Sequence, residues 1–124
     1  MRHYRVTLQD VFQAHEAAMR HGGRKGLISQ HAVESAIGRP YSGYHRTIAQ
    51  KSAALLEALV NNHGFIDGNK RTALLVTDLF IRRSGYVLML REGEFIDDLI
   101  VSVAEGATGF NELLVWFRDR LNKR

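Results

Sequence analysis

Apolar residues recur along most of this chain at intervals of three and four, the spacing of one face of an α-helix. Leu8, Val11, Phe12, His15, Ala18 and Met19 share the first such face. Thr7 followed by Asp10 resembles a capping box with Asp in the Glu position, and it predicts a helix over about 8–20 that Gly22 and Gly23 end. A second helix is predicted to start after Ser29 and to stop at Gly38, just before Arg39-Pro40. Residues 41–46, YSGYHR, read as a loop or a short hairpin. The third helix, about 47–61, carries Ile48, Ser52, Leu55, Leu56, Leu59 and Val60 at helical spacing. The fourth, about 70–83, contains ALLVTDLFI, apolar nearly all round, and is expected to be the central, most buried helix. YVLML then reads as a short strand or an extended connector. Two amphipathic helices near 93–105 and 111–121, parted by GATG, complete the chain. The expected fold is all-α: one compact domain over residues 1–124, with about six helices.

Composition narrows the chemistry. The chain has 124 residues and no cysteine, which removes disulfides, thiolate metal sites and a Cys nucleophile. The opening MRHYRVTLQD lacks the apolar core of a signal peptide, and no apolar run approaches membrane-spanning length, so the expected compartment is the cytoplasm. Seventeen basic against thirteen acidic side chains give a net charge of +4. That excess suits a phosphate or nucleic-acid partner, and equally a solvated basic surface.

One stretch departs from the ordinary. In NHGFIDGNKRTALL, residues 62–75, Lys70 and Arg71 fall in the first turn of the fourth helix. The helix dipole makes that end partly positive and favours acids there. With Asn69 as N-cap, the first-turn N–H groups and the two cations form an anion site suited to a polyphosphate, and Gly68 permits close backbone approach. Asp67 beside such a site is a liability unless a divalent cation bridges carboxylate and phosphate oxygens, as Mg2+ does. Imidazoles exchange protons near neutral pH, which suits His63 to act as general base on a hydroxyl nucleophile. Phe65 anchors the loop by burial. Taken singly, these residues have plainer readings: a helix C-terminal partner, a turn, solvated charges. Their joint spacing is what singles them out.

At these positions the sequence resembles the Fic/Doc family, whose signature is close to HxFx(D/E)GNxR at a helix start. His63, Phe65, Asp67, Gly68, Asn69 and Arg71 meet it. The likeness runs upstream through HGGRKGLISQHAVESAIGRP and downstream through RRSGYVLML and VAEGATG. Family members that transfer AMP typically have Gly between the Asn and the Arg, and a second Arg three residues on. Here those positions hold Lys70 and Leu74. Both departures match the Doc, or death-on-curing, branch. Gly68 stands where that branch often has Ala, a conservative change.

The resemblance implies a toxin of a toxin–antitoxin pair. It implies use of ATP and Mg2+, with the γ-phosphoryl passed to a target hydroxyl, in the family a threonine of elongation factor Tu. Carried over by position, His63 is the general base and Asp67 the Mg2+ ligand. Gly68, Asn69, Lys70 and Arg71 bind nucleotide phosphates. Arg39, Tyr41, Tyr44 and His45 are candidates for a flap that positions the target peptide. The inhibitory pattern (S/T)xxxE(G/N) of AMP-transferring relatives is not met, since Val101 precedes Glu105-Gly106 at the required spacing. The implied inhibitor is instead an antitoxin protein whose disordered C-terminal segment folds as a helix in a groove. Two alternatives stand beside this reading: protein AMP transfer, and a basic helical module using Arg82-Arg83 and RDRLNKR on nucleic acid. His3, His15, His21, His31 and His45 lack metal-ligand spacing and read as isolated side chains.

Overall fold

The computed structural model of the protein describes residues 2–124. Six α-helices carry the fold: α1 (Leu8–Ala18), α2 (Gln30–Gly38), α3 (Ile48–Asn61), α4 (Asn69–Arg83), α5 (Ile96–Ala104) and α6 (Phe110–Arg120). Two three-residue strands, β1 (Tyr86–Leu88) and β2 (Leu121–Lys123), pair antiparallel with Val87 opposite Asn122. The all-α expectation holds, and YVLML supplies a strand. No helix among the described residues is long and apolar enough to cross a membrane.

Local side-chain chemistry caps the first three helices. Thr7 accepts the Asp10 N–H at 3.1 Å while Asp10 accepts the Thr7 N–H at 2.9 Å, the capping box read from the sequence. Thr47 and Gln50 repeat the arrangement at α3, at 3.1 and 3.0 Å. Ser29 caps α2 through the Ala32 N–H. These caps place the helix starts at the positions expected.

One apolar cluster runs through every helix, with Phe80, Phe117, Leu55, Leu56 and Leu113 fully enclosed. Helix α4 is central, packing against α1, α3, α5 and β1. The most buried helix, however, is α3, not α4. Ala49, Ser52, Ala53, Ala54, Leu55, Leu56, Ala58, Leu59 and Val60 are all buried, whereas α4 leaves Leu75 exposed and Leu74 half-buried. The alanines of α3 explain the difference. A methyl side chain lets neighbouring helices approach from several directions, so α2, α4, α5 and α6 all lie against it.

Of the two forms open to residues 41–46, the loop is found and the hairpin is not. Arg39–Tyr41 form a 3-10 turn that continues from α2, and bends follow. Pro40 suits the first turn of such an element. Tyr41 turns inward: its hydroxyl donates to the Tyr4 carbonyl and accepts the Val6 N–H at 3.0 Å, pinning the N-terminal segment. Within the C-terminal RDRLNKR, Arg118, Lys123 and Arg124 are exposed and Arg120 is not. Arg120 is buried and paired with Glu94, and the following residues form β2. Arg82 and Arg83 pair with Asp78 and Asp10.

Candidate active site

The segment between α3 and α4 makes one tight excursion, and its sequence explains the path. Asn62 closes α3, and its side-chain amide donates to the Ala32 carbonyl at 3.2 Å. His63 follows at φ +48°, the left-handed region where Gly is the usual occupant after a helix. Phe65 then plunges into the core, 4% exposed. That burial stabilises the loop by roughly 1.5–3 kcal/mol, which offsets the roughly 1–2 kcal/mol of a non-Gly residue in the left-handed region. The Asn69 side chain locks the turn from both sides, accepting the Phe65 N–H at 3.1 Å and donating to the Phe65 carbonyl at 2.8 Å.

A second strip of chain braces this loop. The Gly64 carbonyl accepts the N–H groups of Ile28 and Ser29 at 2.8 and 3.1 Å, and Ile66 N–H donates to Gly26 at 3.0 Å. A Cβ on Gly26 would come within 2.6 Å of Ile66, so glycine there permits the close approach. Residues 23–28 therefore border the loop. The sequence offered only glycine spacing as a hint of this.

The start of α4 differs from the expectation in detail. Gly68, at φ +80°, is the N-cap, and Asn69 is the first helical residue. Gly68 N–H donates to Asp67 Oδ1 at 2.8 Å. The first intrahelical bond runs from Thr72 N–H to the Gly68 carbonyl at 2.9 Å. The N–H groups of Asn69, Lys70 and Arg71 have no hydrogen-bond partner among the described residues. Asn69 thus presents its backbone N–H at the helix tip and commits its side chain to the loop. Lys70 and Arg71 are exposed, and neither forms an ion pair with the described residues.

His63, Ile66, Asp67, Gly68, Asn69 and Lys70 line one cavity of about 310 Å3, floored by Val60 with Ala104 at its edge. An adjoining hollow of about 190 Å3 lies between Lys70, Arg71 and Leu74 on α4 and Asp97, Ile100 and Val101 on α5. The helix tip, the carboxylate and the imidazole therefore face a common space. Asp67 fits a Mg2+ ligand. It is exposed, and its two oxygens each accept one backbone N–H, from Gly68 at 2.8 Å and Arg24 at 3.3 Å, which leaves lone pairs free. A single carboxylate completed by phosphate oxygens and water is an ordinary Mg2+ environment.

Residues 5–81 match the profile described as the Fic/DOC family, a span that contains the whole loop and most of α4. The chain belongs to the Fic/DOC family. It is 33% identical over 111 residues to the "Protein kinase doc" of Escherichia phage P1, covering 86% of this chain and 85% of that one. It is also 33% identical over 85 residues to "Toxin Doc" of Mycolicibacterium smegmatis, covering 64% of each. These relatives place it on the Doc-like branch of the family.

Not every expected residue reaches this Fic/DOC site. Arg39, Tyr41, Tyr44 and His45 precede the start of α3, whereas His63 follows its end. Fourteen helical residues separate them, a length of about 21 Å. Tyr41 is anchored inward, Tyr44 is 86% exposed, and His45 lies against the Phe110 ring with centroids 5.1 Å apart. The segment that borders the loop is residues 23–28. His15, read from the sequence as isolated, is buried directly behind Asp67, with Nε2 2.9 Å from the Asp67 carbonyl oxygen. Its membership of the apolar face of α1 was the available signal. Beyond it, a cavity of about 440 Å3 opens on the other side of the loop, among Phe12, Met19, Leu27 and Phe65.

Proposed function

We propose that this protein is a Doc-type toxin enzyme that transfers the γ-phosphoryl of ATP to a hydroxyl of a translation factor, a threonine of elongation factor Tu, and so arrests translation in the cytoplasm. The observation that carries the reading is the α4 tip: three N–H groups and two cations without partners among the described residues, with Lys70 lining the same cavity as the exposed His63 and Arg71 lining the hollow beside it.

The residues divide the work as follows. The Asn69, Lys70 and Arg71 amides and the Lys70 and Arg71 side chains hold phosphate oxygens and offset charge that builds during transfer. His63 accepts the proton of the target hydroxyl. The new bond joins that oxygen to the γ-phosphorus as the bond to the β-bridging oxygen breaks, and ADP leaves. Asp67 would hold Mg2+, which supplies charge neutralisation across the phosphates. Phe65 and Asn69 keep the loop in the shape that brings these groups together.

Lys70 favours phosphoryl over AMP transfer. A glycine at its position leaves room for a bulkier group beside the helix tip, whereas Lys70 fills that room and adds a charge. The proposed regulator is an antitoxin whose disordered C-terminal segment folds as a helix on this chain. The apolar cavity between α1 and residues 25–27 has the lining such a segment requires. The test is incubation with elongation factor Tu and ATP labelled at the α or the γ position. Label from the γ position alone, lost in His63→Ala by roughly 10²- to 10⁴-fold in rate, is the expected result. Transfer of α label establishes AMP transfer instead.

A further inference from the structure

Beneath the Asp67–Gly68 turn lies a histidine that the chemistry above does not use. His15, on α1, is 9% exposed, and its ring lies flat on Phe65, with centroids 3.8 Å apart and planes 8° from parallel. Its Nε2 is 2.9 Å from the Asp67 carbonyl oxygen. A carbonyl only accepts, so Nε2 carries a proton and donates. The two contacts ask for different things. Phe would supply the flat face and Gln the donor, and His supplies both from one buried position.

The neighbourhood leaves the turn little freedom. A Cβ on Gly68 would lie 2.6 Å from Met19 Sδ and 3.5 Å from His15 Nε2, so the side chains of His15 on α1 and of Met19 just after it lie close against Gly68. A Cβ on Gly23 would lie 2.9 Å from Asp67 Oδ2. Asp67 is thus held at three atoms: the carbonyl by His15, Oδ1 by Gly68 N–H, and Oδ2 by Arg24 N–H. The two bonds to the carboxylate are exposed. The bond from His15 is sheltered, and it fixes the peptide plane from which the side chain departs.

We propose that His15 is the positioning residue of Asp67, clamping the peptide that follows it so that the carboxylate faces the phosphate cavity. This rests on the reading of Asp67 as a Mg2+ ligand. Groups that orient a metal ligand from behind typically alter metal affinity by roughly 10- to 100-fold when removed. A merely space-filling His15 would change stability and nothing else.

Two variants of the full chain separate these roles. His15→Phe keeps the burial and the stack but removes the donor. His15→Gln keeps a donor and loses the ring. Calorimetry with a non-hydrolysable ATP analogue, with and without Mg2+, gives the gain in affinity due to the metal, and thermal denaturation confirms folding. The expected result is a roughly 10- to 100-fold smaller metal-dependent gain in His15→Phe, unchanged metal-free binding, and recovery of most of the gain in His15→Gln. A His15→Phe chain with the full gain overturns the proposal, as does a folded His15→Gln chain no better than His15→Phe. Should the variants fail to fold, long-range 1H–15N spectra of the wild-type imidazole decide. A proton on Nε2 upholds the assignment and its absence overturns it. A wild-type chain whose nucleotide affinity ignores Mg2+ removes the metal reading of Asp67 itself, and the His15 role with it.

Discussion

The start of α4 and the starts of the other helices solve the same problem in opposite ways. Each helix begins with N–H groups that lack intrahelical partners, and with the positive end of a dipole. At α1 and α3 a threonine and the residue three positions on satisfy them, at α2 Ser29 does, and at α6 Glu112 reaches back to the Gly109 N–H. Helix α5 has no side-chain cap but carries Asp97 and Asp98 in its first turn. Only α4, among the described residues, has neither cap nor acid, and it adds Lys70 and Arg71. The other five starts are met by a side-chain cap or a first-turn acid of the chain itself, and this one is not. An anion is the partner that would complement such an end.

Reversing charge at the two kinds of helix start is the strongest way to break this contrast. Lys70→Glu and Arg71→Glu place acids where the dipole favours them. Without nucleotide, each variant is expected to be as stable as wild type or more so, by about 0.3–1 kcal/mol. Nucleotide affinity should fall by roughly 10- to 100-fold for each lost charge-assisted contact. At α3 the signs reverse: Thr47→Ala costs about 1 kcal/mol of stability and leaves nucleotide binding unchanged. Thermal denaturation and calorimetry on the three variants measure both effects. Loss of stability in Lys70→Glu or Arg71→Glu, with binding intact, would make the cations structural and remove the contrast.

The parts of this arrangement that were legible in sequence are those written within a few neighbouring residues. Thr7 with Asp10, Ser29 ahead of α2, and the run from His63 to Arg71 all act on backbone close by, so spacing alone displays them. Contacts across the chain left no such trace. His15 meets Asp67 across 52 positions and Arg24 meets it across 43, and nothing periodic links them. Asn69 was visible as a cap type, yet its side chain turns back onto Phe65, and Gly68, in the left-handed conformation, takes the cap position. The strand β2 is three residues long and joins β1 from the far end of the chain, too short for an alternating pattern. The greater burial of α3 over α4 was hidden for another reason. Alanine contributes little to a hydrophobic pattern, but its small size is what lets several helices close around one.

His63 sharpens the contrast with a smaller effect. Its φ of +48° is a conformation that stability alone would assign to glycine. His63→Ala and His63→Gly both remove the imidazole, and both are expected to lose transfer. Their stabilities should part: His63→Gly should exceed His63→Ala by roughly 1 kcal/mol, because only glycine adopts that backbone without strain. Paired denaturation curves of the two variants measure the gap. Equal stability, or a less stable glycine variant, would mean that the loop does not hold residue 63 in the left-handed region.

The smallest expected effect concerns a cation whose partner lies within the chain. Arg120 is 7% exposed, its Nε donating to both Glu94 oxygens at 2.9 and 3.1 Å, its Nη1 to the Trp116 carbonyl at 3.0 Å, and its guanidinium lying over the Trp116 ring. Unlike Lys70 and Arg71, it is enclosed, so it requires a permanent counter-charge. The Arg120 guanidinium, helped by the Arg91 N–H, lowers the Glu94 pKa from 4.5 to about 2. A carboxyl group lowered on folding stabilises the native state fully above its unfolded value, and that contribution fades as pH falls through the folded value. The window is therefore from about 4.5 down to about 2. Glu94→Gln should melt below wild type at neutral pH, and the two melting temperatures should converge across that window, since wild type alone has a carboxylate to protonate. A gap that stays constant down to the lower limit would show that charge at Glu94 does not hold the pair. Arg120 would then be kept by packing on Trp116, and the division between cations paired within the fold and cations awaiting a ligand would rest on α4 alone.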